Sequence, residues 1–184
     1  MAPEPRTNFT VDIEPFDPVR HDRSAFSCGS GRIDNYLKRT ATKHQKDDFA
    51  RVFVAVAPGE TGILGYYAIN AHGVEAQDLP AALSRKAPRH GYVPAAYLSI
   101  IAVDQRVQGQ GLGQALLVDA LKRVVPLSEE IGLAVVILDV LEDGGAEDIA
   151  RRTRFYERLG FQSMPSRPTR MFFSMKNIRA ALED

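Results

Sequence analysis

The run "RVQGQGLGQALLVDAL", residues 106–121, carries glycine at 109, 111 and 113 and passes without a break into an apolar, helix-like stretch. Before it stands "PAAYLSIIAVD", which reads as a strand. A strand, a bare turn and a helix start in that order gather unpaired backbone N–H groups, and the aligned peptides add roughly half a positive charge at that end. The missing side chains open the backbone to a phosphate, and Arg106 adds a mobile cation beside it. The same pattern also serves as a plain tight turn. No Lys-Ser or Lys-Thr pair follows the glycines, and their spacing is not that of a dinucleotide fingerprint, so neither ATP nor NAD is the expected ligand.

The rest of the chain must be built around that junction. Its 184 residues suffice for one α/β core, and a single domain is expected over 1–184, with 1–10 as a flexible N-terminal segment. Lys and Arg total 23 and Asp and Glu total 23, so any binding of nucleic acid must use a local patch. The opening "MAPEPRTNFT" lacks the basic start and apolar run of a signal peptide, and no stretch approaches a membrane span; a cytoplasmic protein is expected. Cys28 stands alone as a small buried or turn residue, and His21, His44, His72 and His90 are scattered without ligand spacing, so no metal site is expected.

Period and punctuation alternate between strand and helix. "VDIEPF" reads as a short strand, and "SGRIDNYLKRTATKHQKDD" as a helix capped by Ser30, with Ile33, Tyr36, Leu37 and Thr40 on one side. "ARVFVAVA" and "GILGYYAINAHGV" flank the turn-rich "PGETG" as a hairpin. "DLPAALSRKAPRHGY" is irregular and basic, with one helical turn. The long helix runs from Gly111 to about Val125, and "LAVVILDV" reads as a strand buried on both faces. "AEDIARRTRFYERLG" is a helix stopped by Gly160, followed by the strands "FQSM" and "RMFFSM". The fold class is α/β (α+β): a mixed central sheet of six or seven strands flanked by helices. Exposed Met171 and Phe173 on the last strands suggest a homodimer contact.

"SIIAVDQRVQGQGLGQALLVDAL" resembles the acetyl-CoA motif of the GNAT superfamily of N-acetyltransferases, in which a strand ending in a splayed β-bulge leads into an R/Q-x-x-G-x-G/A loop, here Arg106, Gly109 and Gly111. "RFYERLGF" resembles the late helix-and-turn signature of the same superfamily. From about His21 to Met175 the chain is similar to toxin acetyltransferases encoded beside ribbon-helix-helix antitoxins, whose members acetylate the amino acid of charged tRNA. The resemblance implies a GNAT fold, acetyl-CoA as co-substrate and a small ribbon-helix-helix antitoxin as partner. It implies that backbone groups of Ile101, Ala102 and Val103 hold the acetyl and pantetheine portions. It further implies that N–H groups of Gln108, Gly109, Gln110, Gly111, Leu112 and Gly113 take the pyrophosphate, and that Tyr156 protonates the leaving thiolate.

A phenol suits that last role because it is protonated at neutral pH. The alternative for Tyr156 is a core aromatic beside Phe155, Leu159 and Phe161, which are assigned to packing. No general base stands out; Glu75, Ser99 and Asn70 are alternatives for positioning the amine or a water. The gap itself bears on the acceptor. A lysine ammonium titrates near ~10.4 and a free α-amine near ~7.8, a difference of roughly 3.5 kcal/mol in deprotonation, so an α-amine needs less help.

For charged tRNA the chain offers Lys38, Arg39, Lys43 and Lys46 in the first helix and Arg85, Lys86 and Arg89 in the irregular segment, against interleaved Asp34, Asp47 and Asp48. Aromatic residues there are too few to suggest base stacking. "LEDGGAEDIARRT" is longer and richer in glycine than the corresponding link in the toxins, and is either a shaped wall or a mobile loop. Other readings are a GNAT that acetylates a small-molecule or protein amine, and a non-catalytic module that binds acetyl-CoA.

Overall fold

The computed structural model of the chain describes residues 9–183, so most of the expected flexible segment, residues 1–8, lies outside the described residues. The strands are β1 (Asp12–Pro15), β2 (Arg51–Val56), β3 (Ile63–Glu75), β4 (Tyr92–Val103), β5 (Val135–Asp139), β6 (Gln162–Ser163) and β7 (Arg170–Ser174). They are hydrogen-bonded in the order β1-β2-β3-β4-β5-β7-β6. The β4–β5 pair is parallel, while β1–β2, β2–β3, β5–β7 and β6–β7 are antiparallel, giving the expected mixed sheet. The chain divides into two compact units: a loop unit, which runs to Asn70 and includes Ser99–Ala120, and a unit named for its helix α5 (Ala146–Arg158), made of Ala71–Leu98 with the short helix α3 (Ala81–Ser84) and of the chain from Leu121 onward.

In the loop unit the first helix is not uniform. It consists of α1 (Gly31–Asn35), a π-helical turn (Tyr36–Thr40) and α2 (Ala41–Lys46). Its buried residues are Ile33, Leu37 and Ala41, spaced by four. An α-helix drifts about 40° for every four residues, and a wider π turn returns those positions to one face. Ser30 makes no side-chain cap at the start of α1; its carbonyl accepts from the Asp34 N–H instead.

Close approach decides the packing between β3 and the start of α4 (Leu112–Glu130). A Cβ on Gly65 would stand 2.9 Å from Leu116 and 3.1 Å from the carbonyl of Ala102, so only glycine lets these segments meet. α4 runs five residues beyond the expected end at Val125 and passes through Pro126. Pro126 and Lys122, whose carbonyl the ring leaves without its helical N–H, are both exposed, so water can take the place of the lost bond.

The α5 unit holds the strand expected to be covered on both faces: residues 135–138 are buried without interruption. The pairing of β4 with β5 covers Ala95↔Val135 to Leu98↔Leu138. α5 (Ala146–Arg158) ends as expected at Gly160, whose φ is +101°. Met171 and Phe173 are 0% and 5% exposed, which removes the basis for a dimer contact through them. Their strand is covered by neighbours rather than left at the edge, since β7 lies between β5 and β6. A C-terminal helix, α6 (Met175–Glu183), follows the last strand; Met175 and Ile178 are buried at helical spacing, a signal that the strand reading of "RMFFSM" hides.

Gly160 offers a direct check. A Cβ there would stand 2.5 Å from the Phe173 ring, in a backbone conformation that L side chains resist. Gly160→Ala is expected to destabilise the protein by about 2–4 kcal/mol, read as a lower urea midpoint at unchanged slope.

Candidate active site

The glycine loop is held in place by a carboxylate. Asp104, 1% exposed, follows β4 and accepts the Ser27 N–H at 3.1 Å, the Arg106 N–H at 3.0 Å, and the Arg106 guanidinium through Nε at 2.8 Å and Nη2 at 3.0 Å. Its own N–H donates to Leu64, and the next N–H, of Gln105, donates to Ser27. Burial would raise the Asp104 pKa, but the bonds from Arg106 and Ser27 outweigh it and hold the carboxyl below its usual range. Arg106 is therefore not the mobile cation expected from the sequence: its fork is committed to Asp104. The Gln108 side chain likewise donates to the carbonyls of Val103 and Cys28, at 2.9 and 3.1 Å.

What this scaffold presents is bare backbone. A 3₁₀ turn (Gln105–Val107) leads to Gly109 and Gly111 at φ +75° and +87°, and α4 then starts at Leu112. Among the described residues the N–H groups of Gln108, Gly109, Gln110 and Gly111 donate to no protein acceptor, and those of Leu112 and Gly113 open the helix. Gly113 is already within the first turn, unlike its two left-handed neighbours. Leu112 is 1% exposed, so it can offer a ligand only its backbone. Ile101, Ala102 and Val103 form the last residues of β4 in the same unit, with Ala102 buried and the other two half-buried. Such a row of orphan donors at a helix start fits a pyrophosphate.

In the α5 unit, Tyr156 is buried against Phe155 and Phe161, with ring centroids 5.1 and 6.1 Å away. Leu159 and Phe161 are core, whereas Phe155 is only half-buried. Burial pushes the Tyr156 phenol up to about 12, while the charge of Arg152, one turn earlier, pulls the other way. Among the described residues its hydroxyl has no protein hydrogen-bond partner, and as no fully buried side-chain oxygen or nitrogen there lacks one, the phenolic oxygen reaches solvent. A protonated, uncommitted phenol inside apolar walls is suited to give a proton or a hydrogen bond to an anion formed beside it.

The glycine-containing link before α5 is hydrogen-bonded to that helix. Arg152 Nη1 donates to the carbonyls of Leu141 at 2.8 Å and Asp143 at 2.5 Å, and Gly144 takes φ +95° against Asp148. Of the groups considered for positioning an amine, Ser99 is occupied by the carbonyl of Ala68 at 3.2 Å, and Glu75 accepts from Gln77. Asn70 is engaged as well. Burial pushes the Cys28 thiol up to about 11, so it is no nucleophile. Among the described residues no group of three or more His, Cys, Asp or Glu could hold a metal ion.

The basic residues divide between the units. Lys38, Arg39, Lys43 and Lys46 lie on the π turn and α2 of the loop unit, and all but half-buried Lys38 are exposed. The interleaved acids weigh less there than their number suggests: Asp34 accepts from Ser27 and Cys28, and Asp48 pairs with Arg51. Phe49, 66% exposed, adds an aromatic face that counting had discounted, with the His44 ring 5.8 Å away. Arg85, Lys86 and Arg89 are exposed in the α5 unit, and none of these seven cations makes an ion pair among the described residues.

The loop unit thus offers orphan N–H groups at a helix start, which suit a pyrophosphate, and the α5 unit by itself offers a late helix with an uncommitted phenol. Residues 48–163 match the acetyltransferase (GNAT) domain family, and the chain belongs to that family. It is an acetyl-CoA-dependent N-acetyltransferase. It is 48% identical to a probable toxin TacT of Sinorhizobium fredii over 170 residues, covering 92% of this chain and 94% of the relative. It is 32% identical to a tRNA-acetylating toxin of Mycobacterium tuberculosis, covering 89% and 92%. Its fold matches that of AtaT complexed with acetyl-methionyl-tRNAfMet, with a TM-score of 0.82 at 24% identity over 94% of this chain and 99% of that one.

Asp104→Asn keeps the shape of the carboxylate but loses its charge, and is expected to cost about 1–3 kcal/mol at neutral pH. Because the folded pKa is depressed, the stabilisation is present above the unfolded value of 3.8 and is lost as pH falls through the lower folded value. Unfolding curves of wild type and variant should therefore converge in acid.

Proposed function

We propose that the protein transfers acetyl from acetyl-CoA to the α-amine of aminoacyl-tRNA and blocks translation as the toxin of a toxin–antitoxin pair. The uncommitted Tyr156 hydroxyl carries this reading, in a chain so similar over nearly its whole length to a probable toxin and to a tRNA-acetylating toxin. The orphan N–H groups of residues 108–113 bind the pyrophosphate, and the backbone of Ile101, Ala102 and Val103 aligns the pantetheine arm. Acetyl-CoA supplies an activated thioester carbonyl.

The amine arrives unprotonated, its nitrogen bonds to the carbonyl carbon, and the carbon–sulfur bond breaks. Nitrogen then gives up one proton to water, and sulfur gains one. Tyr156 supplies the proton to sulfur and recovers it from solvent. An ordinary thiol near ~8.5 and a phenol near 12, the Arg152 charge included, differ by about 5 kcal/mol in acidity, so Tyr156 acts first as a hydrogen-bond donor to developing thiolate. Lys38, Arg39, Lys43, Lys46, Arg85, Lys86 and Arg89 hold tRNA phosphates in this reading, with binding that falls as salt rises. A ribbon-helix-helix antitoxin, a cytoplasmic setting and a homodimer complete it, the dimer contact using surface other than Met171 and Phe173. None of the described helices is long and apolar enough to cross a membrane.

The test is transfer from labelled acetyl-CoA to bulk charged tRNA, with deacylated tRNA, free amino acids and polyamines in parallel. Label on charged tRNA, released with the aminoacyl ester, is the expected result; label on a polyamine or free amino acid instead would overturn the acceptor. Tyr156→Phe should lower kcat by about 100-fold or more while calorimetry finds acetyl-CoA affinity within about twofold of wild type. Gly111→Val should do the reverse, weakening acetyl-CoA first, because its φ of +87° and the cradle both exclude a side chain.

A further inference from the structure

One face of the sheet in the α5 unit changes character along its strands. Val74 on β3, Val93 and Ala95 on β4, Val135 and Ile137 on β5 and Phe172 on β7 are buried in one apolar cluster. Two residues along each strand, on the same face, stand His72, Tyr97, Asp139 and Arg170. Tyr97 Oη donates to Asp139 Oδ2 at 2.8 Å, and Arg170 clamps the same carboxylate through Nε at 2.8 Å and Nη2 at 2.7 Å. The Tyr97 ring has His72 on it at 5.3 Å and the Arg170 guanidinium at 5.5 Å. The ion pair reaches solvent, with side chains 21% and 26% exposed for Arg170 and Asp139.

Where the apolar cluster gives way to solvent, these half-exposed positions form one connected polar network rather than separate solvated side chains. Its chemistry suits an amine. Tyr97 spends its proton on Asp139, which leaves the phenolic oxygen as an acceptor for an N–H. A bare carboxylate would hold an ammonium and keep it protonated. Here Arg170 neutralises the carboxylate, and His72, although exposed, is drawn towards its neutral form by partial desolvation and by Arg170. The row therefore offers a neutral acceptor, which favours the unprotonated amine that can attack.

Its surroundings match. Leu79, Leu83 and Ala87 pack against this face, and the segment that carries them exposes Arg85, Lys86 and Arg89. At the other side, the chain leaving Asp139 is bonded within two residues to Arg152, one turn before Tyr156. We propose that the row His72, Tyr97, Asp139 and Arg170 is the acceptor subsite, in which Tyr97 Oη takes an N–H of the α-amine of an esterified amino acid, Asp139 polarises Tyr97 and Arg170 fixes both. The subsite deepens the tRNA-acetylation reading and rests on it.

The test compares wild type, Tyr97→Phe and Asp139→Asn with charged tRNA as acceptor, titrating each substrate separately. Expected is a loss of at least about 10-fold in kcat/KM for charged tRNA, with the acetyl-CoA Kd within about twofold and thermal midpoints of Tyr97→Phe and wild type alike. A merely structural role would move both substrates together. An unchanged kcat/KM for charged tRNA in Tyr97→Phe overturns the subsite while leaving the function in place. A wild type inert towards every charged tRNA overturns the function itself, and the assignment of this row to an esterified amino acid falls with it.

Discussion

The buried carboxylate of Asp104 is the constraint on which the loop unit depends. Four hydrogen bonds converge on it, and its neighbours' backbone ties the loop to Leu64 and Ser27. Without them the chain between β4 and α4 would have no reason to hold several N–H groups away from partners, because a backbone free to turn would satisfy them internally. The glycines permit the conformation; Asp104 and Arg106 select it. Preorganisation of this kind means that the cost of leaving those donors unpaired is met in folding, so a bound anion need not order the loop.

The sequence made the loop legible because glycine reports backbone geometry directly. Gly109, Gly111 and Gly160 all take the left-handed φ that motivates reading them as turn and cap residues, and the continuous apolar run over residues 135–138 is the doubly covered strand it resembles. The bracing of Arg106 is hidden for the complementary reason. A side chain's charge is visible in sequence, but whether a carboxylate two residues away turns towards it depends on the turn between them, and here it makes the cation a fixed brace. The burial of Met171 and Phe173 is hidden similarly: exposure of a late strand depends on where it inserts, and β7 enters between β5 and β6. The π turn was invisible because a spacing of four is compatible with an ordinary helix over one turn, and the difference accumulates only across Ile33, Leu37 and Ala41.

Some polar groupings belong to no single stretch of sequence. Tyr97, Asp139 and Arg170 are distant in sequence and individually ordinary, and periodicity marks Tyr97 and Asp139 as parts of apolar strands. Only the order of the strands brings them together. β5 and β7 set Asp139 opposite Arg170, and β4 supplies Tyr97 beside them. A polar row of this sort is a product of topology, so no local pattern predicts it.

That row and the character of Tyr156 bear on the same energetic question. A lysine acceptor would demand a base strong enough to remove a proton held about 3.5 kcal/mol more tightly than that of an α-amine. Among the described residues the α5 unit supplies no free carboxylate in this row, since Asp139 is bound by Arg170 and Tyr97 and its pKa, which burial would raise, is held low by them. His72, drawn towards its neutral form, is a weak base, and Tyr97 is pushed up to about 12 by burial and by Asp139. A face built of weak bases and a neutralised carboxylate can receive an amine that has already lost its proton in water, and cannot efficiently strip one that has not. An α-amine adjacent to an ester meets that condition near neutral pH, whereas a lysine does not.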